Sequence, residues 1–262
     1  MKKGVQLFTV RDYLRSPEEV YSSLRRIRDM GYNAVQAYSI PAVSEEEMQA
    51  MLDELGLTGC SADAELEELA KNPGAVEKAI ENARLHRVNA ISIGTLPKEW
   101  RESGEGYHLF AQEINQVSRL LEGEGLHLLY HPHALEFFSL GQGKTGMDIL
   151  TEETDPKGLY FALDTHWLTA AGVCVTDWLR RMRGRMDIVH FKDYAIVGGA
   201  ERIEDVHKRF AEVGEGNLNW PPILSVCREI GVEFIIVEQD VCPGDPFESL
   251  AVSSRNLTKL GL

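Results

Sequence analysis

The chain has 262 residues, of which 44% are hydrophobic and 26% are charged, and this composition is typical of a globular protein with a sizeable core. Its 27 basic and 41 acidic residues give a net charge of −14, which disfavours nucleic acid and anionic membranes as partners. The cysteines, Cys60, Cys174, Cys227 and Cys242, fall in no ligand-like spacing, and no stretch approaches the roughly 20 apolar residues of a membrane span. We therefore expect a cytoplasmic protein with free thiols.

Short apolar runs alternate with amphipathic segments along the chain. The apolar runs predict eight strands, at residues 4–10, 33–38, 57–62, 88–93, 126–130, 158–163, 186–191 and 232–237. Helices are predicted at residues 17–30, 45–55, 73–86, 107–122, 178–182, 220–230 and 250–260. Eight strands alternating with helices in a chain of this length predict a single-domain (β/α)8 TIM barrel over residues 1–262. The alternative, an open doubly wound sheet, is disfavoured because no glycine-rich fingerprint follows the first strand.

The last four predicted strands all end in histidine or carboxylate side chains. These are His131, His133 and Glu136 after the fifth strand, Asp164 and His166 after the sixth, His190 and Asp193 at the seventh, and Glu238 and Asp240 after the eighth. In a (β/α)8 barrel the carboxyl ends of the strands form the active-site face, so these side chains are expected to converge. Mixed imidazole and carboxylate ligands suit Mn²⁺, Mg²⁺, Co²⁺ or Zn²⁺.

Each of these residues also has a purely structural interpretation. An Asp at a strand end often caps the next helix, and a His after an apolar run is often a hydrogen-bonded core residue. Glu238 is harder to explain in this way, because it directly follows the apolar residues 234–237. A carboxylate in such a place must be paired, protonated or bound to metal. The shared direction of the whole set favours a site.

The segments 130–137, 163–165, 185–193 and 237–240 resemble the sugar phosphate isomerase/epimerase superfamily, the xylose-isomerase-like TIM barrels. The opening residues 6–12, residues 213–216 and the ending from 245 to 262 are also similar to its members. The resemblance covers nearly the whole chain in order. It implies one divalent metal ion, held at the barrel mouth by residues from strands five to eight.

The resemblance assigns Asp164, His190 and Glu238 as metal ligands, and we predict Glu136 as the ligand from strand five. His131 is the alternative, because many relatives have Glu-Pro where this chain has His131-Pro132. The residues expected to be catalytic are Glu136, Glu238, His131, His133 and Lys192. Those expected to contact the substrate are Gln6, Arg11, His166, Trp167 and Asp240.

Two positions depart from the superfamily pattern. Gln36 follows strand two, where relatives often have Glu, and residues 61–63 stand where many relatives have a His. A substrate or proton-transfer contact could therefore be missing, so the prediction of catalysis is weaker than the prediction of fold.

The resemblance implies a metal-dependent isomerase or epimerase of a sugar, keto-sugar or cyclitol. A carboxylate such as Glu238 or Glu136 would remove a proton next to a carbonyl, through an enediolate. The alternatives are a metal-dependent lyase or dehydratase on a keto-sugar or keto-glycoside, and a catalytically inactive sugar-binding protein. A DNA-repair endonuclease is disfavoured by the net charge of −14. The sequence does not determine the sugar, the metal or the oligomeric state, and a homo-oligomer is one of the possibilities.

Overall fold

The computed structural model describes residues 1–37, 39–199, 201–202 and 205–262, with the backbone alone at residue 99. Its strands are β1 Lys2–Gln6, β2 Ala34–Gln36, β3 Thr58–Gly59, β4 Ala62–Ala64, β5 Ala90–Ile93, β6 His127–Tyr130, β7 Ser139–Gly141, β8 Lys144–Thr145, β9 Leu159–Phe161, β10 Leu163–Asp164, β11 Ile188–Phe191, β12 Asp193–Val197, β13 His207–Ala211 and β14 Phe234–Val237. Its α-helices are α1 Pro17–Asp29, α2 Glu45–Leu55, α3 Leu66–Lys71, α4 Pro73–His86, α5 Gly104–Leu120, α6 Gly146–Glu153, α7 Thr165–Ala170, α8 Val175–Arg181, α9 Trp220–Ile230 and α10 Pro246–Lys259.

The chain forms two compact units, of which the first comprises Met1–Thr58 and Val189–Leu262. Its central strands lie in the order β11, β14, β1 and β2, and β1 is parallel to both β14 and β2. The register aligns Val5 with Val237 on one side and with Val35 on the other. These three side chains are buried, and the residues that follow them lie at the carboxyl ends of the strands.

The first helices of this unit follow from their capping residues. The Ser16 side chain accepts a hydrogen bond from the backbone N–H of Glu19 and so caps α1. Ser44 and Glu47 form a capping box at the start of α2, which ends at Gly56 in the left-handed conformation with φ +65°.

The second unit, Gly59–Ile188, has its own parallel sheet in the order β4, β5, β6 and β9. Leu128 of β6 is paired with Ile91 of β5 and with Leu159 of β9, and all three side chains are fully buried. On β6, the Tyr130 ring packs edge-on against Phe110 of α5, with 5.3 Å between the ring centroids.

The structure corrects several element boundaries. The first strand ends at Gln6 instead of residue 10, because the Gln6 side chain accepts from the Phe8 N–H and caps a 3-10 helix, Leu7–Tyr13. The second strand ends at Gln36, and Tyr38, to which it was predicted to extend, lies outside the described residues. Helix α10 begins at Pro246, because Asp245 caps it by accepting from the Phe247 N–H.

Two antiparallel hairpins, β7 with β8 and β12 with β13, have no counterpart in the sequence prediction. Most of their residues are exposed or half-buried, and β7, β8 and β13 lack the apolar runs on which the prediction depends. The strand β12 contains an apolar run, residues 194–197, that the prediction did not assign to a strand. Within the described part of the chain, no helix is long and apolar enough to cross a membrane. The domain boundaries 1–262 and the cytoplasmic location stay predictions.

Candidate metal centre

In the first unit, a buried imidazole joins two side chains at strand ends. His190 lies in β11, Glu238 follows β14, and Gln36 ends β2. The Nδ1 atom of His190 is 2.9 Å from Glu238 Oε2, and its Nε2 atom is 2.6 Å from Gln36 Oε1. All three side chains are buried. The departure at Gln36 therefore contacts a predicted ligand directly, which the sequence did not indicate.

Lys192, two residues beyond His190, places a buried cation beside Glu238. Its Nζ atom is 3.1 Å from Glu238 Oε2 and 3.0 Å from Asp240 Oδ1, and only 1% of its side chain is exposed. A buried ammonium is tolerated when it is paired in this way, and the two carboxylates stabilise its charged form. Asp240, predicted to contact substrate, thus contacts Lys192.

Asp193 has a structural role next to this cation. Its carboxylate accepts hydrogen bonds from the backbone N–H groups of Tyr194, Gly214, Gly216 and Leu218 and from Trp220 Nε1. A Cβ atom on Gly216 would lie 2.2 Å from Asp193 Oδ1, so this position requires glycine. The carboxylate therefore anchors residues 213–216, one of the segments that carried the family resemblance.

In the second unit, Asp164 combines the capping and the candidate metal-binding roles. Its Oδ1 atom accepts from the N–H groups of His166 at 2.7 Å and Trp167 at 3.0 Å, which caps α7. Its Oδ2 atom is 3.5 Å from His131 Nε2. Asp164 can therefore cap the helix and bind a metal ion at the same time, because each role uses a different carboxylate oxygen.

Glu136 is buried, and both of its oxygens bond to neighbours in the same segment. Its Oε1 atom accepts from the Tyr130 hydroxyl at 2.7 Å, and its Oε2 atom accepts from the His133 N–H at 2.6 Å. Burial raises the pKa of Tyr130 well above its ordinary value, and the nearby Glu136 charge acts in the same direction. These bonds hold the short turn Ala134–Phe137 against the end of β6.

Four of the side chains considered so far come together as candidate ligands. One ligand atom from each of His131, Asp164, His190 and Glu238 lies within 4.8 Å of the others, and this group could hold a metal ion. We call it the HDHE group. It contains three of the four predicted ligands, and His131 stands in it where Glu136 was predicted. The ligand roles themselves stay predictions.

The other predicted site residues lie at or just after the ends of β6, β10 and β1. The ring of His133 is 4.7 Å from that of His131 and 5.3 Å from that of Trp167, which in turn is 4.7 Å from His166. Arg11 lies over the ring of Phe8 at 4.3 Å, and Nη1 donates to the Phe8 carbonyl. Gln6 uses its side-chain oxygen to cap the 3-10 helix. Their contacts with substrate stay predictions.

Known proteins place the chain in a family. The model of the xylose isomerase-like TIM barrel family matches residues 24–256. Inosose dehydratase from Clostridium beijerinckii is 29% identical over 173 residues, which are 59% of this chain and 54% of that protein. Inosose dehydratase from Geobacillus thermodenitrificans is 27% identical over 159 residues, or 55% and 51% of the two chains. The chain thus spans about half the length of these curated relatives.

Solved structures resemble the whole chain. A sugar phosphate isomerase/epimerase from Parabacteroides distasonis has a TM-score of 0.78 at 20% identity, with 98% of this chain and 93% of that one covered. The probable 3-DHS dehydratase from Bacillus anthracis has a TM-score of 0.72 at 15% identity, with 98% and 99% covered. These likenesses confirm the predicted α/β barrel fold. The chain belongs to the xylose isomerase-like TIM barrel family.

Proposed function

We propose that this chain is a metal-dependent lyase that removes water from a small polyhydroxylated ketone, a keto-cyclitol or keto-sugar. The HDHE group is the observation that carries the proposal, because the first step needs a carbonyl polarised beside a base. The curated relatives named inosose dehydratase support elimination of water as the outcome.

The donor set of the HDHE group fits a divalent ion. Two imidazoles and two carboxylates suit Mn²⁺, Co²⁺ or Zn²⁺ better than Mg²⁺, which prefers oxygen ligands alone. The two carboxylate charges balance the charge of such an ion. When bound, the ion supplies positive charge that lowers the cost of building negative charge on a carbonyl oxygen.

Glu238 is the proposed base. Its Oε2 atom is 2.9 Å from His190 Nδ1 and 3.1 Å from Lys192 Nζ, whose positive charge stabilises the carboxylate. It would accept the proton from the carbon next to the carbonyl, and the electrons of that C–H bond move towards the carbonyl. Lys192, paired with two carboxylates, keeps its proton and steadies the charge on a substrate oxygen.

Elimination then needs a proton donor for the departing hydroxyl, and His133 is the proposed donor. The centroid of its imidazole ring is 4.7 Å from that of His131, and an imidazolium is a suitable general acid. The carbonyl C=O bond then re-forms, the electron pair of the former C–H bond becomes the new C=C bond, and the C–O bond to the departing hydroxyl breaks. The hydroxyl leaves as water with the proton from His133. The proton held by Glu238 returns to solvent, and His133 takes one up.

A sugar isomerase or epimerase is the second candidate function. The ion pairs of Lys192 favour it, because a cation held by two carboxylates stabilises an enediolate but is a poor proton donor to a leaving group. If no other side chain supplies that proton, the substrate takes its proton back at the neighbouring carbon or on the other face.

Following substrate protons in D₂O distinguishes these functions. Chelator-treated protein is reloaded with Mn²⁺ or Co²⁺ and given an inosose, a ketohexose or a ketopentose, with NMR and mass spectrometry as readouts. We expect deuterium exchange next to the carbonyl together with loss of one water, and His133→Gln should slow the loss more than the exchange. Exchange without loss of water would favour the isomerase or epimerase. Binding without exchange would contradict both and indicate a sugar-binding protein.

A further inference from the structure

We propose that Gln36 is a positioning residue that holds the His190 ring with its Nδ1 atom directed towards Glu238, another member of the HDHE group. The expected effect on metal binding rests on the proposed function, whereas the orientation of the ring does not. The contact itself is a 2.6 Å approach between Gln36 Oε1 and His190 Nε2, and 2% or less of either residue is exposed.

The hydrogen-bonding capacity of a neutral imidazole sets the direction of this contact. Such a ring carries one N–H donor and one lone pair. An amide oxygen can only accept, so the Nε2 atom of His190 carries the hydrogen. The lone pair is then on Nδ1, the atom that faces Glu238 Oε2 at 2.9 Å. Two lone-pair donors that face each other at this distance are arranged to share a cation.

The fold brings this partner to His190 from a distant part of the chain. Gln36 is the last residue of β2, and the parallel pairing of Val35 with Val5 and of Gln36 with Gln6 fixes its height in the sheet. Gln36 and His190 are separated by 154 residues in sequence. Because both side chains are buried, neither can turn to solvent for another hydrogen-bond partner.

The amide at residue 36 also determines the charge beside the HDHE group. A Glu here would orient the same ring but would add a negative charge beside a group that already has two carboxylates. A Gln orients the ring and adds no charge. The position therefore tunes the charge around the ion while it fixes the ligand geometry.

Metal affinity and the His190 tautomer test this inference together. In Gln36→Leu the acceptor is lost at similar volume, and we expect Mn²⁺ and Zn²⁺ to bind about 10–100-fold more weakly by calorimetry. Nitrogen NMR of labelled histidine should show the Nε2–H form of His190 in the unmodified protein and a mixture in the variant. Gln36→Glu should restore the tautomer and most of the affinity.

Gln49→Leu is the matched control, because it removes another buried glutamine, on α2, and should leave both readouts unchanged. Circular dichroism of each variant checks folding, and Gln36→Glu gives a readout even if Gln36→Leu does not fold. Unchanged affinity and tautomer in Gln36→Leu would overturn the inference. If the unmodified protein bound no metal, the proposed function would fail, and the tautomer in metal-free protein would still decide the role of Gln36.

Discussion

Two histidine–aspartate pairs lie at opposite ends of β6 in the second unit. At the carboxyl end, His131 Nε2 is 3.5 Å from Asp164 Oδ2. At the amino end, His127 Nε2 is 3.6 Å from Asp187 Oδ2. By residue type and distance the pairs are nearly equivalent, yet only the first belongs to a candidate metal group among the residues that the structure describes.

The difference lies in what surrounds each pair. The Asp164 side chain is fully buried and Asp187 is 36% exposed. The ring of His127 stacks on Tyr160 at 4.0 Å, and burial lowers the pKa of His127 to about 4 despite the nearby Asp187. A buried His next to an Asp is therefore not enough for a site. The additional ligands of the HDHE group distinguish the carboxyl end of the strand.

Neutralising each aspartate in turn should give the largest difference in activity between the two pairs. Asp164→Asn keeps an oxygen that can cap α7 but loses the ligand charge, so we expect kcat/KM to fall roughly a thousandfold or more. Asp187→Asn should change kcat/KM by less than about twofold. Both are measured as steady-state rates with saturating Mn²⁺, and equal losses in the two variants would remove the distinction.

His127 should make the protein less stable as the pH falls. The pKa of His127 is lowered from 6.5 to about 4 by burial, so between these values the unfolded chain binds a proton that the folded chain does not. The free energy of unfolding therefore decreases with acidification through this window, by at most about 3 kcal/mol, and has no contribution from His127 above it.

The measurement is urea unfolding of the unmodified protein and of His127→Gln across that pH window. The variant lacks the titrating group, so its stability should fall less on acidification. Parallel curves for the two proteins would mean that His127 does not titrate in this way.

Substituting Glu136 should have a smaller effect, on stability, and it tests whether Glu136 or His131 is the metal ligand at the end of β6. Glu136→Gln weakens the bonds from Tyr130 and His133, so we expect a loss of about 1–3 kcal/mol in the free energy of unfolding. Tyr130→Phe should cost about 1 kcal/mol. Metal affinity should stay within about twofold in both variants. If Glu136→Gln abolished metal binding and kept its stability, Glu136 would be the ligand that the sequence predicted.

The strand ends at Tyr130, Phe191 and Val237 were predictable because local chemistry determines them. The apolar run Phe234–Val237 forms a buried strand, so Glu238 had to lie at its end beside a partner. The capping residues Ser16 and Ser44 likewise start their helices where the sequence indicated. These features depend on neighbours in the chain, which a single sequence contains.

The choice between His131 and Glu136 could not be predicted in the same way. Both lie within a few residues of the end of β6, and a turn can direct either side chain inward. In the structure, the buried Tyr130 hydroxyl bonds to Glu136, whereas His131 belongs to the HDHE group. The contact of Gln36 with His190 could not be predicted from the sequence either, because it depends on the tertiary packing of strands that are distant in the chain.

Metal titration of two histidine variants tests the central claim most directly. Chelator-treated wild type, His131→Ala and His127→Ala are titrated with Mn²⁺, Co²⁺ or Zn²⁺ in a calorimeter. We expect one ion per wild-type chain, at least about a 100-fold loss of affinity in His131→Ala, and wild-type affinity in His127→Ala. Equal affinity in all three proteins, or no binding by the wild type, would contradict the assignment of the HDHE group as a metal centre.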